Sequence, residues 1–316
     1  MSTPEMTLII HAEQLLTMQA ESGEAGRVGL LEDAGVFIRE GVVSWVGPWS
    51  RRPKAAKRGD AASLAVRVLT PGWIEPGAWA FVHLATEFYA TSSRRPEDIQ
   101  SSIEDLKGCH DDVDAPTLAG ALAARTLDFV RQGVVAVGWV DGLVPAGVLE
   151  DALGTLQELP CTSVRVPPHH HPAFMSGAGG ERARHGVVVR VPSAPLTSLP
   201  WNTPVQPIAA STPVALSTGS HPVWSMNQSL GLSVSMAVAR YGWSPARALW
   251  SVTRGAATAL GRPALGTIAT GERANLTAWR CERYEELAYC VGQPMVDAVI
   301  ADGLFAYWTE EDVESS

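Results

Sequence analysis

The hydrophobic pattern changes period along the chain. Thr7-Leu8-Ile9-Ile10-His11-Ala12 reads as a strand, and residues 36–46 read as two short strands joined at Glu40-Gly41 and closed by Gly47-Pro48. Arg67-Val68-Leu69-Thr70 runs through Pro71-Gly72-Trp73-Ile74 as a strand entering a new element. A helical period then takes over. Asp114 precedes Pro116, and Leu118, Leu122, Phe129 and Val130 recur on one face before Gly133 stops the helix. Val134–Val137 is a buried strand candidate, and Leu149, Leu153 and Leu156 mark a short helix. Leu230, Val234, Ala237 and Tyr241 mark another, ended by Gly242. Ser244 as N-cap and Pro245 in the first turn start a last helix, with Leu249, Val252, Ala256 and Leu260 inward and Gly261 as its stop. Alternating strand and helix signals predict an α/β fold.

The middle breaks this pattern. Ten of the 22 prolines fall between Pro167 and Pro222, with Gly177-Ala178-Gly179-Gly180 among them. Only Val187–Val191 and Val214–Leu216 read as strands there. No internal repeat is evident.

Composition narrows the function classes. The 316 residues are 46% hydrophobic and 18% charged, too apolar for disorder and long enough for a sizeable core. No run of about 18 apolar residues predicts a membrane span. Met1-Ser2-Thr3-Pro4-Glu5 lacks the basic-then-apolar order of a secretory signal. Cys109, Cys161, Cys281 and Cys290 show no CxxC spacing, so a reduced, cytoplasmic setting is expected. A net charge of −9 with scattered arginines gives no footprint for nucleic acid. The basic stretch Arg51–Arg58 reads as a solvated loop.

Five ordered segments resemble the amidohydrolase superfamily, and imidazolonepropionases in particular. Val68-Leu69-Thr70-Pro71-Gly72-Trp73-Ile74-Glu75-Pro76 is similar to the V-x-P-G-F-I-D-P entry into the first barrel strand, and Pro213-Val214-Ala215-Leu216-Ser217-Thr218 to the approach to the eighth. The others are Ser244-Pro245 through Leu260-Gly261, Gly266-Thr267-Ile268 through Ala274-Asn275-Leu276, and Tyr284-Glu285-Glu286-Leu287-Ala288-Tyr289 through Gly292. The resemblance implies an α/β fold: a TIM-type (β/α) barrel beside a small β-sandwich formed by both chain ends. Its boundaries here are 1–68 with 264–316 for the sandwich and 69–263 for the barrel. Gly41, Gly47, Gly266, Gly271 and Gly303 are expected to serve turns.

The resemblance also implies a divalent metal, zinc or iron, that activates water for hydrolysis of C–N bonds. The implied ligand positions are altered. The H-x-H after strand one is replaced by Gly77-Ala78-Trp79. The aspartate after strand eight is replaced by Gly219, within Ser217-Thr218-Gly219-Ser220-His221-Pro222. The histidine of strand five falls in a stretch the chain lacks. The substrate-contacting lysine and tyrosine after strand two are absent from Gly138-Trp139-Val140-Asp141-Gly142-Leu143. His169, in Val166-Pro167-Pro168-His169-His170-His171-Pro172, is the nearest match to a substrate-contacting histidine after strand three. No metal ligand set and no cofactor are therefore expected; the alternative is a relocated zinc or iron site.

Such a site would draw on His169, His170, His171, His185 or His221, with Cys161 just upstream of the histidine run. Cys109-His110-Asp111-Asp112 and Asp114 offer ligand types, but they precede a helix where acidic residues cap. His169 and His221 are the weak catalytic candidates. Trp79, Trp139 and His169 are the ligand-binding candidates, and Trp79, Trp139, Trp201 and Trp224 read either as plugs of the barrel mouth or as a stacking platform. No G-x-S-x-G elbow or G-x-G-x-x-G loop follows a strand.

Barrel length is the last constraint. Leu69 to Gly261 counts 193 residues, and only 47 separate Trp139 from Val187. A full barrel takes about 250 residues and one βα unit roughly 30 or more, so the barrel is expected to be degenerate or incomplete. Open parallel edges call for a cover: the proline-rich segment, a second copy or a partner. The expected function is that of a non-catalytic relative acting by binding a small ligand, its own copy or a paralogous amidohydrolase, with no nucleic acid or membrane partner. The alternative is a metal-dependent hydrolase of cyclic-amide C–N bonds with a relocated site. A third possibility is a decaying gene product with no molecular role.

Overall fold

The computed structural model describes residues 7–19, 28–53, 62–82, 104–145, 147–166, 187–190, 214–222 and 227–309. The strands of the first part are β1 (Thr7–Leu16), β2 (Leu30–Arg39), β3 (Val42–Pro48), β4 (Ala62–Pro71), β5 (Trp73–Trp79), β6 (Val134–Val140) and β7 (Thr162–Val166). β8 (Val187–Arg190), β9 (Val214–Ser217), β10 (Leu276–Trp279), β11 (Val296–Ala301) and β12 (Leu304–Trp308) follow. The helices are α1 (Ala115–Val130), α2 (Val148–Thr155), α3 (Leu230–Tyr241), α4 (Pro245–Val252), α5 (Arg254–Ala259) and α6 (Glu286–Tyr289). The fold is mixed α/β.

Strands from both ends of the chain share one sheet, in the order β12-β11-β10-β4-β1-β2-β3. Its pairs are antiparallel except β1 with β4. Apolar alternation puts Leu8, Ile10, Val36, Ile38, Leu276 and Ile300 into one buried core. Two hairpins close on two-residue turns, Glu40-Gly41 and Asp302-Gly303, with all four residues at positive φ. That is the mirror-image geometry that matches strand twist, and glycine supplies it without strain. The two turns also touch: a Cβ on Gly303 would fall 2.0 Å from the Gly41 Cα.

At Gly72 the chain leaves this sheet for a second, all-parallel one, in the order β5-β6-β7. The crossing is tight. A Cβ on Gly72 would fall 2.2 Å from a Val135 methyl, so only glycine lets β6 pack there. Trp279 spans the junction, its Nε1–H donating to Thr70 Oγ1 at 2.9 Å and its ring lying 4.6 Å from that of Trp73. β8 and β9 form a parallel pair, and the Trp79 N–H donates to the Ser220 carbonyl at 3.0 Å, setting β9 beside β5. One described strand, β7, lies in the short stretch between β6 and β8.

Helix α1 begins where the sequence predicts, with Asp114 Oδ1 accepting from the Thr117 N–H at 2.9 Å. The helix expected over 245–260 is instead two, broken at Thr253. The Thr253 hydroxyl donates back to the Leu249 carbonyl at 2.7 Å, a bond that bends helices. Gly255 then packs so closely that a Cβ would lie 2.3 Å from the Val214 carbonyl oxygen on β9. Among the described residues, no helix is long and apolar enough to cross a membrane.

Candidate functional site at the mouth of the parallel strands

Parallel pairing carries the C-terminal ends of β5, β6 and β7 to one edge, and the segment after β9 joins them there. In a barrel this is the face that carries chemistry. Near this end β5 is irregular. Glu75 is opposite Val137 and Ala78 opposite Trp139, so Pro76 and Gly77 together face one residue of β6. Proline has no N–H for the ladder, and the resulting bulge turns the Gly77 N–H back onto Glu75.

Glu75 is fully buried. Its Oε1 accepts from the Gly77 N–H at 2.8 Å and from the Ser217 hydroxyl; its Oε2 accepts from the Thr218 N–H at 2.8 Å. Burial pushes this carboxyl up, and those donors pull it back. Across the mouth, Arg125 reaches in from α1. Its Nη1 donates to the Trp79 carbonyl at 2.8 Å and its Nη2 to the Ser220 hydroxyl at 3.2 Å. The guanidinium lies 4.1 Å from the Phe81 ring centroid and 4.8 Å from that of Trp139, within cation–π range. Burial pushes Arg125 down to about 9, while the charge of Glu75 pulls it back up. The guanidinium therefore stays charged at neutral pH. Segment 217–220 joins the two ends, since Ser217 and Thr218 hold Glu75 while Ser220 holds Arg125.

Of the residues singled out in the sequence, Trp79, Trp139, Gly219 and His221 lie around Glu75 and Arg125. Trp79 ends β5, and its ring meets His221 edge-on at 4.8 Å. His221 is buried. Trp139 is fully buried, edge-on to Phe129, and its Nε1–H donates to the Ser163 hydroxyl at 3.3 Å. The Gly219 N–H donates to the Ser217 hydroxyl at 3.0 Å. Asp141, just past β6, takes Arg165 Nε and Nη2 on Oδ2 at 3.0 and 2.6 Å. His110 is buried well away from a ligand role: Nε2 accepts from the Val82 N–H at 3.0 Å and Nδ1 lies 2.7 Å from the Leu106 carbonyl. His11 stacks on Trp49 in the seven-stranded sheet. His83, His169, His170, His171, His185, Trp201 and Trp224 lie outside the described residues.

A catalytic divalent ion needs about three imidazole, carboxylate or thiolate ligands. Gly77 and Gly219 have no side-chain donor atoms, and the indole of Trp79 offers only an N–H. A buried guanidinium on the Trp79 carbonyl and Ser220 hydroxyl already puts a positive charge among those positions. A second cation there would be repelled at low dielectric. Cys161, the thiol nearest the histidine run, is pushed by burial up to about 12. Among the described residues no group of three His, Cys, Asp or Glu is arranged to hold an ion. Among the described residues, those at the implied positions do not fit the metal that the resemblance implies.

Arg125 is the site residue that sequence reasoning missed. Its signal was its position: seven residues after Leu118, three after Leu122 and four before Phe129. That spacing puts an arginine on the apolar face of α1. Glu75, in a strand buried throughout its middle, carried a similar signal.

Comparison with known proteins bears on identity. A family model described as the amidohydrolase family matches residues 207–305. An imidazolonepropionase from Anaeromyxobacter sp. (strain K) is 38% identical over 96 residues, a match spanning 30% of this chain and 23% of the relative. The first relatives are thus matched over about a quarter of their length or less. An imidazolonepropionase from Paracoccus denitrificans (strain Pd 1222) is 25% identical over 404 aligned positions, covering 93% of this chain and 99% of the relative. A chain of 316 residues cannot fill 404 positions, so the alignment opens long internal gaps in it. A zinc-bound adenosine deaminase from Xanthomonas campestris superposes with a TM-score of 0.62 at 16% identity, covering 99% of this chain and 96% of that one. Zinc-complexed atrazine chlorohydrolase from Arthrobacter aurescens TC1 gives 0.66 at 14% identity, over 98% and 97%. At such identities the solved structures speak for the fold alone. The chain is thus similar to the amidohydrolase family over residues 207–305 and to imidazolonepropionases at low identity along its length, and it shares the fold of these solved structures.

Proposed function

We propose that this protein is a non-catalytic amidohydrolase relative that acts by binding: a small ligand, a second copy of itself or a paralogous amidohydrolase. It works without a metal cofactor. The observation that carries the reading is the fate of the three implied ligand positions. They hold Gly77, Trp79 and Gly219, and the main chain of each is bonded inward, to Glu75, Ser220 and Ser217. Loss of one ligand would weaken a metal site, whereas loss of all three on two separate strands removes it. The parallel strands, in this reading, are an incomplete barrel, with the composite sheet of residues 1–68 and 264–316 as a separate unit and the open strand edges covered by a bound copy or partner. A reduced, cytoplasmic setting suits it.

The test is turnover of imidazolone propionate by purified untagged protein, with and without added zinc or iron. No hydrolysis above the uncatalysed rate is expected under either condition. Metal-dependent turnover that disappears when His169, His170, His171, His185 and His221 become alanine would replace this reading with a relocated catalytic site. A chain that fails to unfold cooperatively would instead point to a decaying product.

A further inference from the structure

We infer that the Arg125 guanidinium is the resident cation of the barrel mouth, standing in for a bound ion, with Glu75 as the carboxylate it balances. This goes beyond the proposed function, because a protein with any binding role could hold its mouth in this way. The inference rests on where the donors and acceptors point. Four strand ends must meet here without side-chain ligands on Gly77 or Gly219, so something else must draw β5 and the 217–220 segment together. Arg125 does so directly, because one nitrogen takes the carbonyl of Trp79 and the other the hydroxyl of Ser220. A planar fork with fixed donor directions suits that bridging task better than lysine's point charge would.

The surroundings fit a permanent cation. The rings of Phe81 and Trp139 face the guanidinium, and both side chains are buried. Three donors converge on Glu75, leaving its carboxylate as the acceptor and the negative end of the arrangement. A buried guanidinium carries a heavy desolvation cost, which its two directed bonds and the flanking rings offset, with Glu75 adding a favourable charge through space. An arginine that merely filled space would need neither the two directed bonds nor the carboxylate.

The experiment is chemical rescue. Arg125→Ala removes the side chain beyond Cβ, leaving a vacancy the size of ethylguanidinium and Glu75 unbalanced. The variant should melt roughly 10 °C below the wild type. Ethylguanidinium on the order of 10 mM, far below denaturing concentrations, should restore several degrees by binding only the folded state. Ethylurea has the same shape without the charge and should restore nothing, and neither compound should shift the wild type. Equal rescue by ethylurea, or none by ethylguanidinium, would overturn the inference.

Should Arg125→Ala fail to fold, a second comparison decides the matter. Arg125→Met keeps the bulk and loses the charge, so it should melt well below the wild type. Pairing it with Glu75→Gln should recover most of that loss, since replacing both members of a buried pair is tolerated where removing one is not. An Arg125→Met variant as stable as the wild type, or a double variant no better than Arg125→Met, would show that the charge has no such role.

Discussion

Gly72 separates two regions that solve burial differently. In the seven-stranded sheet Leu8, Ile10, Val36 and Ile38 share one cluster of apolar side chains, and the intervening Ile9 and Phe37 are buried as well. After Gly72, the mouth of the parallel strands buries Glu75, Arg125, Ser217, Ser220 and His221 together. The first region tolerates apolar side chains of similar volume, because dispersion and hydrophobic burial are not directional. The second depends on matched donors and acceptors, so one change strands a partner. In the first region the strands and turns carry the structure, while in the second the buried Glu75 and Arg125 are each held by the 217–220 segment.

The largest effect expected on this contrast comes from Trp139→Ala. It empties a fully buried site and removes a ring from the Arg125 guanidinium, so it should cost about 3–5 kcal/mol in denaturant unfolding. A loss below about 1 kcal/mol would mean that the mouth is not packed as described. Ser217→Ala comes next. It deletes a donor to a buried carboxylate and should cost about 1.5–3 kcal/mol. The matched control is Ile10→Leu in the sheet, a volume-conserving swap that should cost less than about 1.5 kcal/mol. Equal costs for those two substitutions would break the comparison.

Acidity offers a smaller and more specific effect. Burial raises the Glu75 carboxyl in the fold, so on acidification the folded state takes up this proton before the unfolded chain does. Glu75 therefore contributes a cost above its folded value that is relieved as pH falls toward its ordinary range. Relative to Glu75→Gln, which does not titrate, the wild type should gain stability as pH is lowered through that window. A gain in the opposite direction, with rising pH, would mean that Arg125 outweighs burial at this carboxyl. The smallest effect is chemical and leaves stability untouched. Cys161 and Cys281, both pushed by burial up to about 12, should resist a thiol reagent at mildly alkaline pH, while exposed Cys109 reacts. Labelling of Cys161 as fast as Cys109 would show that its surroundings open readily.

The same contrast explains what could be read in the sequence. Alternation exposed β1, β2 and β3, and the Glu40-Gly41 turn followed from glycine's freedom at positive φ. Asp114, Ser244 and Gly242 marked helix ends, because capping is local chemistry. The break at Thr253 was hidden: beside the local bond from its hydroxyl to Leu249, Gly255 packs against a carbonyl on β9, a contact between distant segments. At the mouth, absences were legible and replacements were not. Gly77, Trp79 and Gly219 could be seen to lack ligand atoms. That Arg125, 46 residues beyond Trp79, fills the same region could not be seen, because no local pattern relates a helix arginine to a strand carbonyl.

Metal content tests the central claim most directly. Elemental analysis of untagged protein, purified without chelators, should find zinc and iron well below one equivalent per chain, even after incubation with either ion and removal of the excess. About one tightly held zinc or iron per chain, retained alongside hydrolysis of imidazolone propionate, would contradict the account.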